Sequence, residues 1–104
     1  MDKFDVIIEP TAESDLRGIL RYITETLKEP STAKRILYSV KEHILTLDQI
    51  PLRYPPVRDE LLAARGLRRM PAENYSVFYV ADENLNEVHV IRVLYNRREW
   101  QNLL

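Results

Sequence analysis

The chain has 104 residues, 45% of them hydrophobic and 30% charged, with a formal net charge of −1. This suits one globular domain, residues 1–104, whose core buries roughly 65% of the unfolded surface. Cysteine is absent, which excludes a disulfide framework, a thiol nucleophile and a Cys-ligated zinc site.

The opening MDKFDVIIEP lacks the basic start and apolar run of a signal peptide. No apolar stretch approaches the ~20 residues of a membrane helix, so the expectation is a cytoplasmic protein without membrane contact. Phe4, Val6 and Ile8 alternate over residues 3–9 and predict a strand that Pro10 ends. Leu16, Ile19, Leu20, Ile23 and Leu27 then recur at helical spacing, which predicts one amphipathic helix over 12–28 with Thr11 as N-cap. Pro30 interrupts, and Ser31 is the expected cap of a second helix. Its face is Ala33, Ile36, Leu37, Val40, Ile44 and Leu47, running to about residue 49. A short connection favours an antiparallel hairpin of the two. Pro51, Pro55 and Pro56 exclude regular structure next, and residues 58–65 read as a short helical turn.

Three strands complete the chain, over 66–70, 74–81 and 87–95. The second puts Tyr75, Val77 and Tyr79 on one face and Ser76, Phe78 and Val80 on the other. The third is apolar on both faces near its middle, which predicts a central position. Arg97 to Leu104 read as a helical turn or a tail. The fold class is therefore α+β, in the order β-α-α-β-β-β, with a helix hairpin packed on a mostly antiparallel four-stranded sheet. The far face of the sheet is expected to stay partly open. Phe78, Val80, Val88, Val90 and Leu94 would need a partner chain if they lay there, unless helices and loops of the chain cover both faces.

The basic residues divide by type. Every Lys precedes residue 53, and from Arg53 onward each basic residue is Arg: Arg53, Arg58, Arg65, Arg68, Arg69, Arg92, Arg97 and Arg98. Arginine makes bidentate contacts to phosphate and carboxylate, although an Arg-rich half also reads as a salt-bridged surface. The segments EPTAESDLRGILRYI, STAKRILYSV and GLRRMPAENYSVFYVADENLNEVHVIRVLYNRRE together resemble the RelE/ParE toxin superfamily over nearly the whole chain.

The resemblance implies the toxin of a bacterial type II toxin–antitoxin module, neutralised by an antitoxin that wraps it. RelE-like members cut mRNA on the ribosome, and ParE-like members inhibit DNA gyrase. Metal-free RNA cleavage needs a base, a cation for the crowded phosphate and an acid for the leaving oxygen. RelE-like nucleases commonly carry Arg where this chain has Ser76, and a basic residue where it has Asn96. The near-neutral charge also suits a protein target better than ribosomal RNA. Both departures favour the ParE-like branch.

If the chain is a nuclease, the catalytic candidates are Arg68, Arg69, Arg92, Tyr95 and Arg98. Arg68 and Arg69 are adjacent and point to opposite faces. Tyr95 would need strong tuning from a pKa near ~10 to donate a proton. Partner-binding candidates are Arg65, Tyr79, Arg97 and Trp100, because Arg and aromatic residues dominate interface hot spots. Trp100 reads equally well as a C-terminal ring docked on the core. His43 and His89 read as helix and strand residues outside any catalytic set, and Asp82, Glu83 and Glu87 as a solvated hairpin loop. No metal or other cofactor is implied.

Overall fold

The structure is a computed structural model and describes residues 3–97 and 100–104. Strand β1 spans Asp5–Ile8, and Pro10 both ends it and opens helix α1, Pro10–Arg21. A proline fits the first helical position because the helix leaves that N–H unused. Glu9 therefore occupies the cap position that the sequence offers to Thr11. The Thr11 hydroxyl instead donates to the Ile91 carbonyl at 2.7 Å.

The single helix expected over 12–28 divides at Tyr22. Tyr22–Thr26 form a π-helical turn, closed by the Leu27 N–H on the Tyr22 carbonyl at 3.1 Å. Helix α2, Pro30–Leu45, again starts on a proline, with Glu29 rather than Ser31 at its cap. It buries Ala33, Val40 and Ile44, and a 3-10 turn, Thr46–Asp48, adds Leu47 to the same core.

Helix α3, Glu60–Ala64, is capped by Asp59, whose carboxylate accepts the Leu62 N–H at 3.1 Å. Gly66 follows at φ 87, the left-handed conformation that commonly ends a helix. That is why β2 begins at Arg68 and runs to Ala72, two residues later than the sequence pattern suggests. Strands β3, Tyr75–Asp82, and β4, Glu87–Tyr95, follow. The sheet order is β1-β4-β3-β2, with β1 parallel to β4 and the other pairs antiparallel, so β4 is central as expected.

One irregularity redistributes the side chains. Phe78 pairs with Arg92 but Tyr79 pairs with Val90, leaving Ile91 as the extra residue of a bulge. Strict alternation would put Val88, Val90 and Leu94 on one face. The bulge shifts the phase, so Val88, Val90 and Val93 face the helices while Leu94 faces away.

The first core thus joins Ala12, Leu16, Val40, Ile44, Leu47, Met70, Val77 and Tyr79 to those valines. The far face is not open. Val57, Leu67, Phe78 and Leu94 form a second small core, covered by Leu62 and Ala63 of α3 and by Trp100, Leu103 and Leu104. The expectation of an apolar far face awaiting a partner is corrected on both counts. Val88 and Val90 belong to the helix side, and Phe78 and Leu94 are covered by the chain's own segments.

The outer edge of β2 is partly occupied. The Val57 N–H donates to the Leu67 carbonyl at 3.1 Å and the Arg69 N–H to the Pro55 carbonyl at 3.4 Å. Pro71 has no N–H to offer on this edge. None of the described helices is long and apolar enough to cross a membrane.

Candidate functional site

Neighbouring arginines on β2 diverge as their alternation requires. Arg68 turns to the loop before α3, where Nη1 donates to the Tyr54 carbonyl at 2.5 Å and the Leu52 carbonyl at 3.3 Å. Arg69 turns to the far face, where Nε donates to Ser76 Oγ at 2.6 Å. Ser76 Oγ in turn donates to Asn96 Oδ1 at 2.6 Å. Ser76 is buried, at 1% exposure, and these hydrogen bonds satisfy its hydroxyl.

Arg69 also lines a groove of about 910 Å³ with Tyr54, Pro56, Arg58, Pro71 and Trp100. The Trp100 ring is half-buried and packs on Phe78, with centroids 5.1 Å apart and planes at 41°. Trp100 therefore docks on the second core and shows part of its ring to the groove. Arg65 ends α3 on the surface and Arg97 is exposed after β4. Arg98 lies outside the described residues.

Arg92 is tied into the fold. Its Nε and Nη2 donate to the Asp15 carboxylate at 2.7 and 3.0 Å, and Nη1 donates to the Leu103 carbonyl at 2.8 Å. The bond to Asp15 raises the guanidinium pKa above its ordinary value. Tyr79 is fully buried and donates its hydroxyl to the Pro51 carbonyl at 2.5 Å. Burial pushes its pKa up to about 12. A partner cannot reach Tyr79 in the folded chain, which corrects its place among the partner-binding candidates.

Tyr95 sits elsewhere, on the rim of a second cleft of about 740 Å³ between the helices and the ends of β3 and β4. Its ring meets Tyr75 edge-on at 5.6 Å and 62°, and Tyr22 lines the same cleft. The pair Arg35–Glu73 borders it at 3.3 Å. The Ser39 hydroxyl, donating at 2.9 Å, holds the Glu73 carboxyl below the usual carboxylate range. Sequence reasoning missed this cleft because the π-helical turn that presents Tyr22 leaves no mark in an apolar periodicity.

Of the catalytic candidates, then, Arg69 alone among the described ones faces the far groove with its guanidinium near the surface. Neither histidine is among the residues lining these two grooves. His43 Nδ1 donates to the Ser39 carbonyl at 2.7 Å. His89 lies between Glu9 and Glu87, at 2.6 and 3.0 Å. Among the described residues no group of three His, Asp or Glu side chains is placed to hold a metal ion.

A helix hairpin packed on one face of a four-stranded sheet is the fold of the RelE/ParE-like toxins. The model described as ParE toxin of the type II toxin–antitoxin system parDE matches residues 6–100, and the chain belongs to this family. It is a toxin of a type II toxin–antitoxin system. Among solved structures it is similar to the chromosomal ParDE toxin–antitoxin system from P. aeruginosa. That likeness has TM-score 0.74 and 18% identity, covering 91% of this chain and 98% of the other. It is also similar to the toxin–antitoxin complex RelBE2 from Mycobacterium tuberculosis, with TM-score 0.65 and 28% identity, covering 89% and 98%. No curated protein matches the chain.

Proposed function

We propose that the chain arrests bacterial growth by binding and inhibiting DNA gyrase in the cytoplasm, and that a cognate antitoxin neutralises it. One observation carries the choice of target. Ser76, where the resemblance to RelE-like nucleases puts an arginine, is buried and held between Arg69 and Asn96. A serine in that position cannot offset the added charge of a crowded phosphate as a guanidinium does.

The other groups needed for cleavage are also committed. Arg92 is bound to Asp15 and Leu103, Arg68 to backbone carbonyls, and neither histidine lines the groove. A net charge of −1 suits a protein target better than the polyanionic ribosome. The test is a supercoiling assay with purified toxin and gyrase, run beside primer extension on mRNA from induced cells. Inhibited supercoiling with intact mRNA supports the reading, and full supercoiling at excess toxin removes it.

A second reading is a ribosome-dependent, metal-independent endoribonuclease. It is favoured by the shared groove of Arg69, Arg58 and Trp100, which offers cations beside a ring for a base to stack on. Codon-phased cuts in the same primer extension would establish it. Normal growth after induction without antitoxin would leave a module that only binds its antitoxin.

A further inference from the structure

Among the described residues, four besides glycine have positive φ: Lys28, Ile50, Glu73 and Asn86. Ile50 is the β-branched one, at φ 47 and ψ 57. The left-handed conformation crowds Cβ against the following carbonyl, and branching at Cβ makes this worse. Glycine or asparagine would sit there with less strain. Burial gives no compensation, since Ile50 is 54% exposed. Leu45 and Leu52, in the same turn, are 59% and 41% exposed.

Side chains from several directions hold this backbone. The Arg53 guanidinium donates to the carbonyls of Thr46, Gln49 and Ile50 and to the Thr46 hydroxyl. Tyr79 fixes the Pro51 carbonyl and Arg68 the carbonyls of Leu52 and Tyr54. A strained, braced and exposed apolar residue is the pattern expected where conformation serves binding rather than stability.

We propose that the turn over residues 45–53 is a preformed apolar knob that seats Ile50 in a pocket on the folded protein this toxin inhibits. The inference rests on the reading that the chain acts by binding a protein. Charge argues for that occupant. The Arg53 cation is engaged by carbonyls, and Asp48 faces Lys3 at 4.0 Å. A nucleic-acid backbone would find no uncommitted cation on this turn, whereas an apolar pocket needs none.

Location agrees. No residue of the turn lines either of the two grooves described above. Concave surfaces suit an extended or helical peptide segment, while a fixed projecting side chain suits a pocket that a folded partner already has.

The test compares Ile50→Asn with Ile50→Val in three measurements: growth arrest on induction, thermal midpoint, and binding of the cognate antitoxin. Asparagine tolerates the left-handed backbone and removes the apolar contact. Its midpoint should equal or exceed that of the wild type, and antitoxin binding should stay within about twofold. The inducer level needed for arrest should rise at least about tenfold, as for a hot-spot residue. Valine should keep the arrest. Unchanged arrest by Ile50→Asn overturns the proposal. So does arrest lost together with a lower midpoint or with weakened antitoxin binding, and so does a wild-type chain that arrests nothing. Arrest by a wild type that leaves supercoiling intact removes gyrase as the target, and the knob is still decided by the growth readout.

Discussion

The Arg92 guanidinium and the Asp15 carboxylate meet through two hydrogen bonds, 2.7 and 3.0 Å long, across the end of the shortest strand. Strand β1 stops at Ile8, so β4 loses its backbone neighbour beyond Val90. Helix α1 replaces it with side chains. Thr11 donates to the Ile91 carbonyl at 2.7 Å, and Asp15 accepts the Val93 N–H at 2.9 Å. Thr11 and Asp15 are four residues apart and so lie on one helix face. Arg92 then joins this seam to the C-terminal segment through the Leu103 carbonyl.

Asp15→Ala should lower unfolding free energy by about 2 kcal/mol, because it leaves a half-buried guanidinium and a strand N–H without their acceptor. Asp15→Asn, which keeps one acceptor oxygen, should lose less. Urea unfolding measures both. An Asp15→Ala midpoint equal to that of the wild type would show that the pair contributes nothing to stability and that Arg92 is free for other work.

Tyr79→Phe should cost about 1–2 kcal/mol, since it leaves the Pro51 carbonyl without the buried hydroxyl that binds it. Thermal unfolding followed by circular dichroism reads the change. A neutral outcome would mean that water satisfies the carbonyl and that the turn around Ile50 is less tightly braced than its hydrogen bonds suggest.

Ser76→Ala should cost about 1 kcal/mol through the lost bonds to Arg69 and Asn96, and growth arrest should persist once expression is matched. This separates a structural serine from a catalytic groove. Arrest that disappears while the protein remains folded would place chemistry in the groove and favour the nuclease reading.

Hydrogen bonds that His89 donates to Glu9 first and Glu87 second raise its pKa above the ordinary value. The folded chain thus binds this proton more tightly than the unfolded one. The resulting stability is fully present below the unfolded value of about 6.5 and is lost as pH rises through the folded one. The His89 side chain is 31% exposed, so solvent screening limits the effect to roughly 0.5 kcal/mol. The margin of wild type over His89→Gln in urea midpoint should therefore be larger at about pH 5.5 than at about pH 8.5. A margin that grows with pH would falsify the arrangement.

Much of the architecture was legible because patterning is local. The repeats through Leu16 and Ile23, and through Ala33, Val40 and Ile44, identify two helices with one buried face each. The apolar run of β4 marks the central strand. What failed depends on partners distant in sequence. Leu94 shares its parity with Val88 and Val90, so alternation alone groups them, and only pairing with β3 reveals the extra residue at Ile91.

The proline starts are a local signal that competed with Thr11 and Ser31, and proline at the first helical position prevailed. The site was less legible than the fold. Arginine as a residue type says nothing about whether its donors are already engaged, as those of Arg68 and Arg92 are and as Arg69's are in part. The strain at Ile50 was invisible for a related reason, since it arises from how Arg53 and Tyr79 close a turn between a helix and a sheet.

The guarded edge of β2 bears on whether copies of the chain can pair through their sheets. The Pro55–Val57 segment occupies part of the strand's outer rim, and Pro71 interrupts the rest. A bare rim would act as a template on which further copies could stack into aggregates. With this rim occupied, β2 offers no free strand edge for a further copy to extend.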